Sequence, residues 1–593
     1  MTQAARYQQR SLQPPQLRAK TDRMRIHPYL LSGVACLALS ACAGLPKSDR
    51  AVALDTDLGA SAYGQYLAGQ AAANHGESGV AQGYFGKAAG LDTDVDTTLL
   101  NTRAFTSALL AGDITAAAAL APTGEQAETG LRHLGALVRG VEALSDGKPK
   151  AARAVLTGPD AGAPNEPAAA LLTPFAAAAA GDAAGSIVHP VIAGEPIAQF
   201  FASLDQGLLF ERARRYDEAE TAYRALIAKG DPGGIASLNL GQMLERRGRA
   251  HDAVAIYDSA ISAKKGGDEI ETARARAAGG KPAPPAPSLR ALAAEALVAP
   301  ATALLAEKQQ EIALAYLRLA LRLDPTRDEA WMMVGDILGG GGDDPAARAA
   351  YEKVRPAAPQ YVAARTKLAW SHQSAGEKDA ALAVARELIA AHPEDGDAMM
   401  TYADLLRADE RFIESAHILD GMIQGKSAPD WKLLYMRAVD YEESDRWGDA
   451  EKDLQAALKQ RPDEPELLNF LGYSWIDRGV KLPEAMAMVQ KAVSLQPESG
   501  AMIDSLGWGY FRMGDYPAAV EKLEAAVVLE PGDPDVNDHL GDAYWKIGRK
   551  IEAGFQWRRV LTLEPSAKLK AQVEAKLRHG LDPVPAAPVV AVK

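Results

Sequence analysis

The 593-residue sequence predicts an all-α fold, a solenoid of stacked helical hairpins, and three observations predict it. The first is a period. The segment LGWGYFRMGDYPAAVEKLEAAVVLEP, from Leu506 to Pro531, returns as LGDAYWKIGRKIEAGFQWRRVLTLEP, from Leu540 to Pro565, an offset of 34 at both ends. The second is helical spacing: Leu506 and Tyr510 share one face, and Ala519, Leu523 and Ala526 continue an i, i+4, i+7 stripe. The third is punctuation. Gly514 ends a first helix, Pro517 opens a second, and Pro531 stops it by withholding an N–H and restricting Glu530. One such hairpin cannot bury its apolar face alone, so it must stack on copies of itself.

The closing prolines from Pro325 to Pro565 step by 34, 34, 36, 33, 35, 34 and 34, which places eight contiguous repeats over residues 289–565. Clear copies carry AWMMVGDIL with Ala347 and Tyr351, KLAWSHQSAG with Ala381, and LLNFLGYSWIDRG with Ala485. Weaker ones begin near Ala294, Gly396 (where Ser415 replaces the usual Ala) and Trp431. The stretch DRGVKLPEA lengthens one turn by a residue, and is expected to bulge that turn and leave both helices intact. Two further copies occupy 201–263, around Gly207, Ala219 and Tyr223 and around Gly241, Ala253 and Tyr257.

This pattern of Leu-Gly, aromatic, Ala and Pro resembles the tetratricopeptide repeats. The resemblance implies a right-handed superhelical solenoid in which positions 5, 9 and 12 of each first helix line a concave groove. In the last three repeats those positions are Asn469, Tyr473 and Ile476; Asp504, Trp508 and Phe511; and Asp538, Asp542 and Trp545. Asn469, Asp504 and Asp538 would form a polar ladder flanked by rings, suited to an extended peptide whose N–H groups are bound while its side chains rest on the aromatics. Burial of Trp508 and Trp545 between repeats is the competing reading. The Lys and Asn clamp that some relatives use for a terminal carboxylate is not matched.

The rest of the chain sets the context. Residues 61–200 are Ala-rich, and Gly140 to Ala152 repeats the twelve-residue spacing of the repeats, so degenerate hairpins are expected there. Residues 264–288 read as a Gly/Pro-rich linker, 566–580 as a capping helix, and 581–593 as a disordered tail. Near the start, MRIHPYLLSGVACLALSACAG has a short basic lead, an apolar run and small residues before Cys42, the grammar of a secretory signal within residues 1–41. The run is too short to cross a bilayer as a stable helix. The tetrad LSAC resembles the lipobox of bacterial lipoproteins, which implies cleavage before Cys42, lipidation of its thiol, and a lipidated tether over 42–60. An ordinary cleaved signal is the alternative. Residues 1–23 read as an extended lead or as a start placed too early, with Met24 the other candidate start. Ala43 stands where inner-membrane retention would require Asp, so the outer membrane is expected. With Cys36 removed and Cys42 acylated no free thiol remains, which excludes cysteine catalysis and thiolate metal sites.

Net charge is −13 and no sustained basic run exists, so nucleic acid lacks its electrostatic footprint. Catalytic readings fail in turn: DILGGGGDD joins two helices of one repeat, GMIQGKS is one residue short of a phosphate loop, and neither HExxH nor a Gly-x-Ser-x-Gly elbow occurs. No cofactor or metal is implied. The expectation is a non-enzymatic scaffold or assembly factor, anchored in the outer membrane and binding envelope proteins or peptides in its groove. A lectin-like protein gripping peptidoglycan or another glycan, and a cytoplasmic adaptor, are the alternatives.

Overall fold

A computed structural model describes residues 61–91, 97–124, 127–190, 192, 196–424 and 429–581. The signal segment with Cys36 and Cys42, the tether, and most of the C-terminal tail lie outside the described residues, as do the last three residues of GMIQGKS. Every regular element among the described residues is a helix, and neighbours pair into hairpins.

One contact explains the pairing. A Cβ added at Gly507 would stand 2.6 Å from Leu523 Cγ, one at Gly541 2.6 Å from Trp557 Cδ1, and one at Gly335 2.3 Å from Tyr351 Cε1. Each partner lies sixteen residues on, so the first helix of a hairpin surrenders a side chain to admit a large one from the second. The same spacing joins Gly140 to Leu156 at 2.6 Å and Gly69 to Phe85 at 2.8 Å, inside the Ala-rich region. At Gly472 the partner is Val489, seventeen on, at 2.8 Å. That hairpin carries the lengthened turn, with Gly479 and Lys481 both left-handed, and its helices Pro465–Arg478 and Leu482–Leu495 are uninterrupted.

The chain divides into two compact units at residues 371 and 372. In the unit 61–371 the early hairpins have shortened second helices, such as Ile114–Leu120, Pro149–Leu156 and Ala183–Ser186. Helix Leu289–Ala306 packs against Glu166–Ala179 and Pro196–Arg212, while its partner Gln310–Leu323 packs against Thr97–Ala111, Ile114–Leu120 and Thr129–Ser145. This enclosure accounts for an apolar Leu289–Ala306 (mean hydropathy 1.5), which by length and composition alone would suffice to cross a membrane. The two arginines of Gln310–Leu323 are satisfied by the early hairpins: Arg318 donates to the Leu110 carbonyl at 3.0 Å, and Arg322 pairs with Glu142 at 2.7 Å.

The segment 264–288 is not linker throughout. Helix Asp268–Ala278 lies inside it and buries Ile270, Ala273 and Ala277 against Ala250–Ser262. Charged neighbours on its exposed face hide this apolar stripe from a reading by composition, and only 264–267 and 279–288 run without a helix.

In the unit 372–581 the hairpins stack from Gly396–Ala408 with Phe412–Ile423 to Pro534–Lys546 with Lys550–Leu561. Ala519, Leu523, Ala526, Ala553 and Val560 are fully or almost fully buried, as their stripe requires. Helix Ala567–His579 closes the stack. Ser566 caps it by accepting from the Leu569 N–H, and Leu569 and Val573 are its buried anchors.

Candidate functional site

Helices Trp431–Glu443, Pro465–Arg478, Gly500–Arg512, Pro534–Lys546 and Ala567–His579 all contribute side chains to a cleft of about 660 Å³. One part of its wall is aromatic: Tyr473, and Trp508 stacked at 4.2 Å on the His539 ring. The other is acidic, with Glu442, Glu443, Asp445, Asp477, Asp535, Asp538 and Asp542 against the cations Arg478, Lys568 and Lys576 and the ring of His539. Arg478 is spent on Glu442, at 2.8 Å. Lys576 reaches across from the terminal helix and donates to Asp538 Oδ2 at 2.7 Å and Asp542 Oδ2 at 2.8 Å. Asp538 and Asp542 are one helical turn apart, so both carboxylates face the same way. Beneath them, Trp557 Nε1 donates to Asp542 Oδ1 at 3.0 Å, whereas Asp538 Oδ1 is buried with no hydrogen-bond partner.

Burial and charge compete here. Burial draws the pKa of His539 down, but the Asp504 carboxylate, 3.0 Å from Nδ1, outweighs it and raises the value to about 9. Burial likewise opposes the charge of Lys576, and Asp542 and Asp538 reverse the effect, so its pKa rises. Asp542 moves upward too, through burial first and the like charge of Asp538 second. His539 and Lys576 therefore stay charged in a cleft that carries more carboxylates than its cations neutralise.

The repeat assignment rests on more than geometry. The tetratricopeptide repeat family profile matches residues 204–268, 298–362, 366–428 and 435–500, and a second TPR repeat profile matches 509–548, together just over half of the chain. The chain is a tetratricopeptide-repeat protein. Over 85 residues it is 38% identical to a TPR repeat-containing protein of Pseudomonas aeruginosa, a match spanning 14% of this chain and 14% of that protein's length. A tetratricopeptide repeat protein from Parabacteroides merdae is similar in structure at 15% identity and a TM-score of 0.38, over 43% of this chain and 99% of that one. The APC/C hetero-tetramer Cut9–Hcn1 is similar at 15% identity and a TM-score of 0.34, over 82% of this chain and 97% of the matched chain.

Within the tetratricopeptide repeats, the predicted groove residues divide. Tyr473, Trp508, Asp538 and Asp542 meet in the cleft wall. Phe511 stands behind, stacked on Trp508 at 4.7 Å. Asp504 is drawn out of the open face: it is fully buried, and its carboxylate is taken by His539 of the next repeat. The expected ladder is broken at that rung, because position 6 of one repeat lies over position 5 of the repeat before it. Asn469 lies outside the cleft wall, half-buried, with Oδ1 unpartnered. Trp545 is also displaced from the open face. It packs 5.4 Å from Trp557 and lies so close to Gly580 that a Cβ there would stand 2.0 Å from its ring.

Sequence reasoning missed His539 and Lys576. A signal for Lys576 was present: Leu569, Val573 and Lys576 form an i, i+4, i+7 stripe, so the lysine shares the buried face of the terminal helix. His539 sits one residue after a groove position and follows no repeat consensus. No group of three or more His, Cys, Asp or Glu among the described residues could hold a metal ion. The arrangement is suited to gripping, through rings and carboxylates, an extended chain that carries positive charge.

Proposed function

We propose that this tetratricopeptide-repeat scaffold is a lipoprotein anchored through Cys42 in the outer membrane, and that it holds an envelope protein by an extended segment laid in the C-terminal cleft. The observation that carries the reading is the cleft wall itself. Three consecutive first helices deliver Tyr473, Trp508, Asp538 and Asp542 to one cavity of about 660 Å³, large enough for several residues of an extended peptide. The lipobox-like LSAC before the tether supports the anchor.

A photo-reactive phenylalanine analogue placed at Tyr473 of the full-length chain tests the cleft in cells. A protein adduct in the outer-membrane fraction, lost on Trp508→Ala, is the expected result; a glycan adduct, or no adduct, overturns the reading. For the anchor, Cys42→Ala should leave an unprocessed precursor, and continued incorporation of labelled fatty acid would refute the assignment.

A further inference from the structure

We propose that the Asp538–Asp542 pair is a lysine-binding subsite, and that the terminal helix occupies it with Lys576 until a lysine-bearing segment of a partner takes its place. The inference rests on the peptide-binding reading of the cleft and names what that cleft selects.

Three observations carry it. First, an ammonium group already sits there: Lys576 Nζ bridges the two carboxylates at 2.7 and 2.8 Å, so their spacing across one helical turn suits a lysine head group. Second, Asp538 is 6% exposed, yet its Oδ1 has no hydrogen-bond partner, so the single Lys576 contact leaves acceptor capacity unused in the cleft wall. An unmet buried acceptor is costly and marks a place that a further donor would satisfy. Third, the remaining cleft favours a basic guest. Asp477, Asp535 and Asp445 line the same cavity, and Tyr473 and Trp508 offer faces for an aliphatic stem.

The occupant is displaceable. Helix Ala567–His579 is the last described element and has only two buried anchors, Leu569 and Val573. Its inner-face lysine thus acts as an internal competitor for the chemistry it mimics. A ligand lysine gains little against a closed helix and much against an open one, because a competent state populated only in part weakens apparent affinity in proportion.

The test uses the full-length chain in detergent and a fluorescent octapeptide of alternating lysine and alanine, with the glutamate–alanine octapeptide as control. Lys576→Met should tighten binding of the lysine peptide at least tenfold and raise hydrogen exchange over 566–580. Asp538→Asn with Asp542→Asn should abolish binding in either background. Unchanged affinity in Lys576→Met, or equal binding of both peptides, overturns the proposal. Should the double variant fold poorly, the wild-type chain still decides the matter: a photo-reactive lysine peptide must label residues around 473–542, and labelling elsewhere overturns the subsite. A protein adduct from position 473 alongside failure of the lysine peptide would sink this inference alone and leave the scaffold reading standing.

Discussion

Two hairpins of this chain share one design and live in opposite surroundings. Helix Gln310–Leu323 in the unit 61–371 buries Ala315, Tyr316 and Leu319, whereas the register-equivalent residues of Tyr516–Leu529 in the unit 372–581 are Glu521, Lys522 and Ala525, none of them buried. Both helices keep the obligatory stripe, Ala313, Leu317 and Ala320 in one and Ala519, Leu523 and Ala526 in the other, each fully buried. The stripe is therefore what makes a hairpin. The opposite face reports what the hairpin is surrounded by: earlier hairpins in the first case, solvent in the second. A repeat consensus records the first property and is silent on the second.

The largest effect should come from the face that differs. Leu319→Ala truncates a fully buried side chain and should cost about 2–5 kcal/mol. Ala525→Lys, at the equivalent and exposed position, should stay within about 0.5 kcal/mol. Denaturant melts of the two variants check the contrast, and similar losses at both sites would dissolve it.

A second contrast is electrostatic. His539 stays protonated in the folded chain up to about pH 9, against 6.5 for an ordinary histidine, because Asp504 holds its proton and Asp535 and Asp538 add to the field. Between those values the folded chain binds more protons than the unfolded one, so stability falls as pH rises, by on the order of 3 kcal/mol across the window. Burial also raises Asp440, to about 7, so that group withdraws stability as pH rises from the ordinary carboxylate range to that value, and the part of the slope above pH 7 that a His539 substitution removes is the part the histidine supplies. Melts of His539→Asn should lack that slope; a slope that persists would place its origin elsewhere.

Next in size is the stripe. Ala519→Leu overpacks a fully buried position and should cost about 1–3 kcal/mol. Because stacked repeats interact with nearest neighbours, lost hydrogen-exchange protection should centre on residues near 500–565 and leave residues 61–371 protected. Uniform loss along the chain would contradict a solenoid.

Legibility followed the same division. The hairpins of the second half could be read from Gly507, Ala519 and Pro531 because their roles are internal to one repeat. Gly69 with Phe85 obeys the same sixteen-residue rule, and Ala81 stands twelve after that glycine, yet an Ala-rich background hides the signal. The helix Asp268–Ala278 escaped because glycine flanks and charges outweigh three apolar residues. At the cleft, Tyr473, Trp508, Asp538 and Asp542 followed from repeat position alone. Asp504 and Trp545 did not, because their fate depends on His539 of the next repeat and on the terminal helix, neither of which the repeat specifies.

The smallest effect concerns the turns, where strong and weak copies of the repeat part company. Gly514 and Gly548 occupy the left-handed region with φ of 85° and 86°, as the turn between helices demands. In weaker copies the same turn is made by Lys308 and Glu410, at φ of 63° and 59°. A side chain in that conformation costs roughly 1–2 kcal/mol, which glycine avoids at the expense of some unfolded-state entropy. Glu410 N–H still bonds the Arg407 carbonyl at 3.0 Å, so the turn geometry survives removal of the side chain. Glu410→Gly should therefore stabilise the unit 372–581 by about 1 kcal/mol or less, and Gly514→Ala should destabilise it by a similar amount. Opposite shifts in the melting midpoint of the two variants are the expected result. If Glu410→Gly lowers the midpoint, the glutamate contributes more to its turn than its backbone strain removes, and sequence weakness in a repeat would no longer mark strain in its turn.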